Sequence, residues 1–94
     1  MTLSKKQILE LRGRGHHLKA IVTVGSAGLS EAVVREVDLS LEHHELMKIK
    51  VASQERDDRN TLIETLCQTI GAELIQRIGN VALLYRKRRL STPE

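Results

Sequence analysis

The chain has 94 residues, 40% of them hydrophobic, which is enough for one compact core and too few for two independent domains. Tyr85 is the only aromatic residue and Cys67 the only cysteine, which excludes sheets that stack bases on aromatic rings, internal disulfides and cysteine-rich metal sites. The net charge is +3, no apolar run reaches the roughly 18 residues of a membrane span, and no secretory signal is visible, so we expect a cytoplasmic protein.

The first predicted element is a short basic helix that begins at Ser4. Ser4 and Gln7 have the spacing of a capping box, and Leu3 and Ile8 have the spacing of the hydrophobic staple around it. Gly13 and Gly15 each offer a place for this helix to end.

The next segment predicts a strand, a glycine loop and a helix. Residues 21–24 are a β-branched run that ends at a glycine, which indicates a buried strand before the loop at residues 25–28. Ser30 is a suitable N-cap, and apolar residues then recur at helical spacing through about His43.

Residues 46–51 alternate between apolar and basic side chains, so Lys48 and Lys50 are expected on the exposed face of a strand. The polar residues 53–60 predict a loop. Apolar residues at helical spacing then predict a third helix, which ends at Gly71.

Two final strands, residues 72–78 and 81–86, are joined by Gly79-Asn80, a pair typical of tight hairpin turns. The resulting order, α-β-α-β-α-β-β, predicts an α/β two-layer sandwich with a four-stranded mixed sheet. Because there are few helices, one sheet face is expected to stay partly open and to display the two strand lysines.

The charges are unevenly spread along the chain. Each third of the chain carries five basic side chains, in residues 1–30, 31–64 and 65–94. The acidic side chains are uneven, with one in the first segment, nine in the second and two in the third. Basic ends around an acidic middle favour a polyanion-binding face, because Lys and Arg displace counterions from phosphates; solubility alone is the competing explanation. We assign residues 1–88 to one domain and residues 89–94 to a basic tail.

The sequence Gly25-Ser26-Ala27-Gly28 has features that a phosphate needs. A strand that ends in Gly-x-x-Gly and is followed by a helix offers backbone N–H groups at the helix N-terminus and no Cβ to block close approach. A tight turn that requires glycine for its dihedrals is the alternative interpretation. The spacing matches neither the dinucleotide-binding motif nor the Walker loop, which disfavours a nucleotide hydrolase.

The remaining reactive side chains form no catalytic or metal-binding pattern. The histidines occur as the neighbouring pairs His16-His17 and His43-His44, and adjacent positions do not face one another on a helix. We expect one member of each pair to pack or cap. Cys67 lies on an apolar stripe and is predicted to be a buried, unreactive thiol. No metal, cofactor or enzymatic activity is therefore predicted.

The second predicted helix is rich in carboxylates, which are expected to be exposed: Glu31, Glu36, Asp38 and Glu42. An acidic helix could dock a basic ribosomal protein. A protein-interaction module of this kind is the alternative to nucleic-acid binding.

Several segments together resemble the CRM domain family, named for chloroplast RNA splicing and ribosome maturation, and in particular its stand-alone YhbY-like members. They cover nearly the whole chain: residues 17–19, 24–30, 44–51, 71–72, 76–79 and 84–86. The resemblance implies a fold like the C-terminal domain of bacterial translation initiation factor three. It also implies RNA binding without catalysis and association with large-subunit rRNA or its precursor.

Carried over by position, the resemblance makes residues 25–28 the RNA-binding loop. Ser26 and Asn80 stand where lysine is frequent in the family, which predicts weaker affinity without a change in binding mode. We expect a monomer that binds RNA, with ribosomal proteins as further partners and no membrane. The basic contributors implied by the resemblance are Lys19, Lys48, Lys50, Arg77 and Arg86, and Arg12 and Arg14 are added on charge alone.

Overall fold

The structure, a computed structural model, describes residues 3–25, 27–52 and 56–87, without the side chain of Arg56. Ser26 and the predicted tail at residues 89–94 lie outside the described residues. The elements follow the predicted order: α1 (Lys5–Gly15), β1 (Ala20–Val24), α2 (Glu31–His44), β2 (Leu46–Val51), α3 (Arg56–Ile70), β3 (Glu73–Ile78) and β4 (Val81–Tyr85).

The four strands form one mixed sheet, as predicted, and their order in that sheet is β1-β2-β4-β3. β1 and β2 are parallel, whereas β4 runs antiparallel to both β2 and β3. The β3–β4 hairpin turns at Gly79, whose φ of 61° is a conformation that glycine adopts without strain.

The main core lies between the sheet and the pair α2 and α3. Alternate strand residues point into it, because successive side chains of a strand face opposite sides. Its helical contributors include Val37 and Leu41 from α2 and Ile63 and Leu66 from α3. The strands contribute Val22, Val24, Met47, Ile49, Val51, Ala82 and Leu84.

Helix α1 packs against the opposite face of the sheet. Leu11 forms a second buried cluster with Leu46, Ile75 and Leu83. The helix approaches the sheet closely at Gly15, where an added Cβ would lie 2.5 Å from Leu83 Cδ2. The predicted two-layer sandwich therefore describes the main core, and α1 adds a third layer over only part of the second face.

Local signals at the helix ends account for most boundaries. In the α1 capping box, Gln7 N donates to Ser4 Oγ (3.1 Å) and Ser4 N donates to Gln7 Oε1 (2.8 Å). The loop predicted for residues 53–60 is wrong in its second half, because α3 begins at Arg56. Asp57 and Asp58 occupy its first turn, where acidic side chains stabilise the positive end of the helix dipole. No helix among the described residues is long and apolar enough to cross a membrane.

Candidate nucleic-acid interface

Part of the α1 face of the sheet is not covered by any helix. Here Lys48 on β2 pairs with Leu83 on β4, and Lys50 pairs with Val81 one step further along the strand. On β3, Gln76 and Ile78 continue the same two cross-strand rows. We call this surface the open half of the sheet; it consists of Lys48, Lys50, Gln76, Ile78 and Val81.

The two lysines of the open half make no side-chain hydrogen bond or ion pair with the described part of the protein. Lys48 is half-buried and Lys50 is exposed, and neither side chain has a hydrogen bond or ion pair within residues 3–25, 27–52 and 56–87. As alternate residues of one strand, their Cα atoms are about 7 Å apart and their side chains leave the same face. No acidic residue occupies the cross-strand rows that contain them, including their β1 partners Ala20 and Thr23.

The glycine loop adjoins the open half at the end of β1. Thr23 pairs with Lys50, and Gly25 follows one residue after the end of the strand. Gly28 N donates to Gly25 O at 3.0 Å, which closes a turn, and Gly28 has a φ of 80°. Gly28 is therefore needed for the turn itself.

Gly25 is different from Gly28. Its φ lies outside the left-handed region, and an added Cβ would meet no described atom within 4 Å. The fold thus gives no reason for glycine at this position, whereas a ligand that approaches the backbone closely would. Gly25 and Ala27 are exposed, and Ser26 is outside the described residues.

The loop does not itself form the N-terminus of α2. Leu29 and Ser30 separate Gly28 from the helix, and the N-cap is Ser30, whose Oγ accepts a hydrogen bond from Val33 N at 3.2 Å. The expectation that the glycine loop presents the helix N–H groups is corrected accordingly. Backbone groups at the exposed residues Gly25 and Ala27 remain available to a phosphate.

The end of α1 brings further basic side chains towards the open half. Arg12 and Arg14 are exposed in its last turn, and His16 directly after the helix lines a recess together with Lys48. Lys19 is exposed just before β1, in a groove that also contains Ile21 at the edge of the sheet.

Arg77 lies on the other side of the sheet. It pairs with Ala82, which is fully buried beneath α2 and α3, so its side chain leaves the face opposite to that of Lys48 and Lys50. Its Nη1 donates to Gly79 O at 2.8 Å, at the tip of the hairpin. The structure therefore does not group Arg77 with the two strand lysines.

The prediction that Arg86 contributes to an RNA-binding surface is wrong. Arg86 is 5% exposed, and its guanidinium is directed into the protein between α2 and α3. Nη1 donates to Asp38 Oδ1 and to Ile70 O, and Nη2 donates to Glu42 Oε1 and to Asp38 O. Arg86 is held by these acceptors and has no surface to offer a phosphate.

The same contacts correct the interpretation of the acidic helix. Asp38 and Glu42 are partly buried ion-pair partners of Arg86, whereas Glu31 and Glu36 are exposed as predicted. The sequence does contain a signal for this arrangement. Carboxylates four residues apart share one face of a helix and can converge on a single cation.

The histidines and Cys67 are the other candidate reactive groups. All four histidines are exposed. His16 is the C-cap residue of α1, which agrees with the expectation that one member of that pair packs or caps, whereas His43 and His44 both lie in the last turn of α2. Cys67 is half-buried, and desolvation together with the charge of Glu73 raises its pKa to about 11. The residues that the structure describes contain no group of three or more His, Cys, Asp or Glu side chains placed to hold a metal ion.

Comparisons with known proteins show the family to which this chain belongs. Residues 3–86 match the model of the CRS1/YhbY (CRM) domain. The chain is 44% identical over 87 residues to the probable RNA-binding protein PA4753 of Pseudomonas aeruginosa, which covers 93% of this chain and 84% of that protein. It is 41% identical to an RNA-binding protein of Haemophilus influenzae, with 90% and 86% of the two chains covered.

The fold has also been observed experimentally. The solution structure of the hypothetical protein SAV1595 from Staphylococcus aureus superimposes with a TM-score of 0.82 at 33% sequence identity. The match covers 97% of this chain and 95% of that one.

Proposed function

Because this chain belongs to the CRS1/YhbY (CRM) domain family, we propose that it binds RNA through the open half of the sheet and the adjoining glycine loop. The observation that carries the proposal is the position of Lys48 and Lys50. Both leave the uncovered face, neither has a partner within the described ranges, and Lys50 lies beside the end of β1 from which the loop departs.

The chemistry is that of phosphate neutralisation. Unpaired lysines on a surface without carboxylates attract a polyanion and release its counterions, so affinity falls steeply as salt rises. Arg12, Arg14 and Lys19 extend the positive surface beyond the sheet. Gly25 allows the RNA backbone to approach the loop more closely than a side chain would permit. No catalytic step belongs to this function.

We further propose that the RNA is large-subunit rRNA or its precursor, bound by a monomer in the cytoplasm. The support for this target is the resemblance of the loop and strand motifs to the CRM family. The docking of ribosomal proteins through α2 is less well supported, because Asp38 and Glu42 are engaged by Arg86.

The central experiment measures binding to a labelled precursor large-subunit rRNA fragment at several salt concentrations. Replacing Lys48 and Lys50 together by glutamine should lower affinity at least tenfold. It should also reduce the slope of log K against log salt by roughly 1.4–1.8, the value for two lost phosphate contacts. The matched control replaces Lys5 and Lys6 by glutamine. Both lysines are exposed at the N-terminal end of α1, whereas its C-terminal end lies beside the open half.

Three outcomes are informative. Equal binding by the two double variants would refute the open half as the RNA-binding surface. Equal affinity for a small-subunit rRNA fragment of similar length would leave RNA binding intact and refute the large-subunit target. Lost association with precursor large-subunit particles after charge reversal at Glu31 and Glu36, with the lysine variants unaffected, would favour the protein-docking alternative.

A further inference from the structure

The open half of the sheet contains a recess beside the end of α1. It has a volume of about 230 Å³ and is lined by His16, Lys48, Gln76, Ile78, Val81 and Leu83. Leu83 is 2% exposed, whereas Ile78 is 68% exposed. The recess thus has a buried apolar side and an apolar rim that is open to solvent.

The polar groups of the recess are arranged around this apolar centre. Lys48, Leu83 and Gln76 are neighbours in one cross-strand row, so the ammonium and the amide flank the leucine from opposite sides. Gln76 can both donate and accept hydrogen bonds. Like Lys48, it has no hydrogen-bond partner in the part of the chain that the structure describes.

This combination fits one chemical class. A nucleobase has apolar faces, an edge of donors and acceptors, and a phosphate on either side. An apolar cavity of about 150 Å³ accommodates benzene, so the recess has room for a base. The absence of carboxylates from its lining, and the lysine beside it, favour a nucleotide over a cationic or peptide ligand.

We propose that the recess binds one unpaired nucleotide of the RNA. The base packs against Ile78 and Val81, and the hydrogen-bonding edge of the base faces Gln76. Lys48 neutralises the adjoining phosphate. The inference rests on the proposed RNA-binding function and adds a preference to it: the protein selects helical RNA that contains an unpaired nucleotide over RNA that is fully paired.

The test compares a fully paired RNA hairpin with the same hairpin carrying one bulged nucleotide. The wild-type protein should bind the bulged RNA roughly tenfold more tightly, near the lower end of the effect of one base stacked on an aromatic ring, because Ile78 and Val81 are aliphatic. Gln76→Ala and Ile78→Ser should reduce this preference to less than threefold, because they lower the affinity for the bulged hairpin more than the affinity for the paired one. Gln68→Ala on α3 is the matched control, because Gln68 is an exposed glutamine on the opposite side of the sheet.

Each result has a separate meaning. Equal affinity of the wild-type protein for the two hairpins would overturn the nucleotide site and leave the RNA-binding surface standing. A preference that survives both substitutions would show that the bulge is recognised elsewhere and would also overturn it. Failure to bind either hairpin at low salt would refute the proposed RNA-binding function itself.

Discussion

On the α2 and α3 side of the sheet, the guanidinium of Arg86 is buried and donates four hydrogen bonds, two of them to carboxylates. On the α1 side, the ammonium of Lys50 is exposed and has no partner among the described residues. Lys50 lies on β2, Arg86 directly follows the adjacent strand β4, and both residues belong to segments that resemble the CRM family. The difference teaches that one cation joins elements within the fold, whereas the other is left exposed on the sheet surface.

The largest expected effect comes from Arg86→Met, which keeps much of the side-chain volume and removes the donors. It leaves the carbonyls of Asp38 and Ile70 without their guanidinium partner, so the free energy of unfolding should fall by about 2–4 kcal/mol. Urea unfolding measures this, with Lys87→Met at the exposed neighbouring position as control. A change below 0.5 kcal/mol, on the scale of an ordinary surface substitution, would show that the ion pairs do not join α2 to the sheet.

Substitutions at Gly15 and Gly13 test how closely α1 packs against its face of the sheet. Gly15→Ala places a Cβ 2.5 Å from a Leu83 methyl, so overpacking should cost about 1–3 kcal/mol. Gly13→Ala, in the same helix with no neighbour within 4 Å, should instead stabilise the protein by about 0.5–1 kcal/mol through helix propensity. If thermal unfolding shows the same shift for both variants, the close approach of α1 does not define the border of the open half.

The glycine loop offers a comparison within four residues. Gly28→Ala should destabilise the protein by about 1–2 kcal/mol, because its φ of 80° is unfavourable for a residue with a Cβ. Gly25→Ala should change stability by less than about 0.5 kcal/mol and should nevertheless weaken RNA binding severalfold. Unfolding curves and RNA titrations on both variants separate the two roles. Unchanged RNA affinity for Gly25→Ala would assign both glycines to the turn alone.

Local signals made most of this architecture predictable. The α1 capping box, the Gly79-Asn80 turn and the alternation at Lys48 and Lys50 each depend on residues close together in sequence, and the structure confirms all three. The start of α3 was not predictable from apolar spacing, because its first turn consists of polar residues that are favoured there by the helix dipole.

Arg86 shows what local reasoning cannot supply. Its acceptors lie 44 and 48 residues away on α2 and 16 residues away at Ile70, so nothing adjacent in the sequence distinguishes it from the exposed Lys87. The family resemblance assigned Arg86 to a binding surface, and the excess of basic residues near the C-terminal end agreed with that assignment. The tertiary structure distinguishes Arg86 from Lys87, because a cation within reach of two carboxylates and two carbonyls is more stable when bound than when solvated.

The smallest stability effect is expected at Lys50, and it is the sharpest test of the contrast between the two faces. Lys50→Met is the same kind of replacement as Arg86→Met, a cation exchanged for an unbranched apolar side chain. Because Lys50 has no described partner to lose, the free energy of unfolding should change by less than about 0.5 kcal/mol.

The salt slope of RNA binding should nevertheless fall by about 0.7–0.9, the value for one phosphate contact. Arg86→Met should leave that slope unchanged in the folded protein, since its charge is already neutralised within the fold. If instead Lys50→Met destabilised the protein as strongly as Arg86→Met, the open half would be part of the structural framework. The cation available to RNA would then have to be sought at the end of α1.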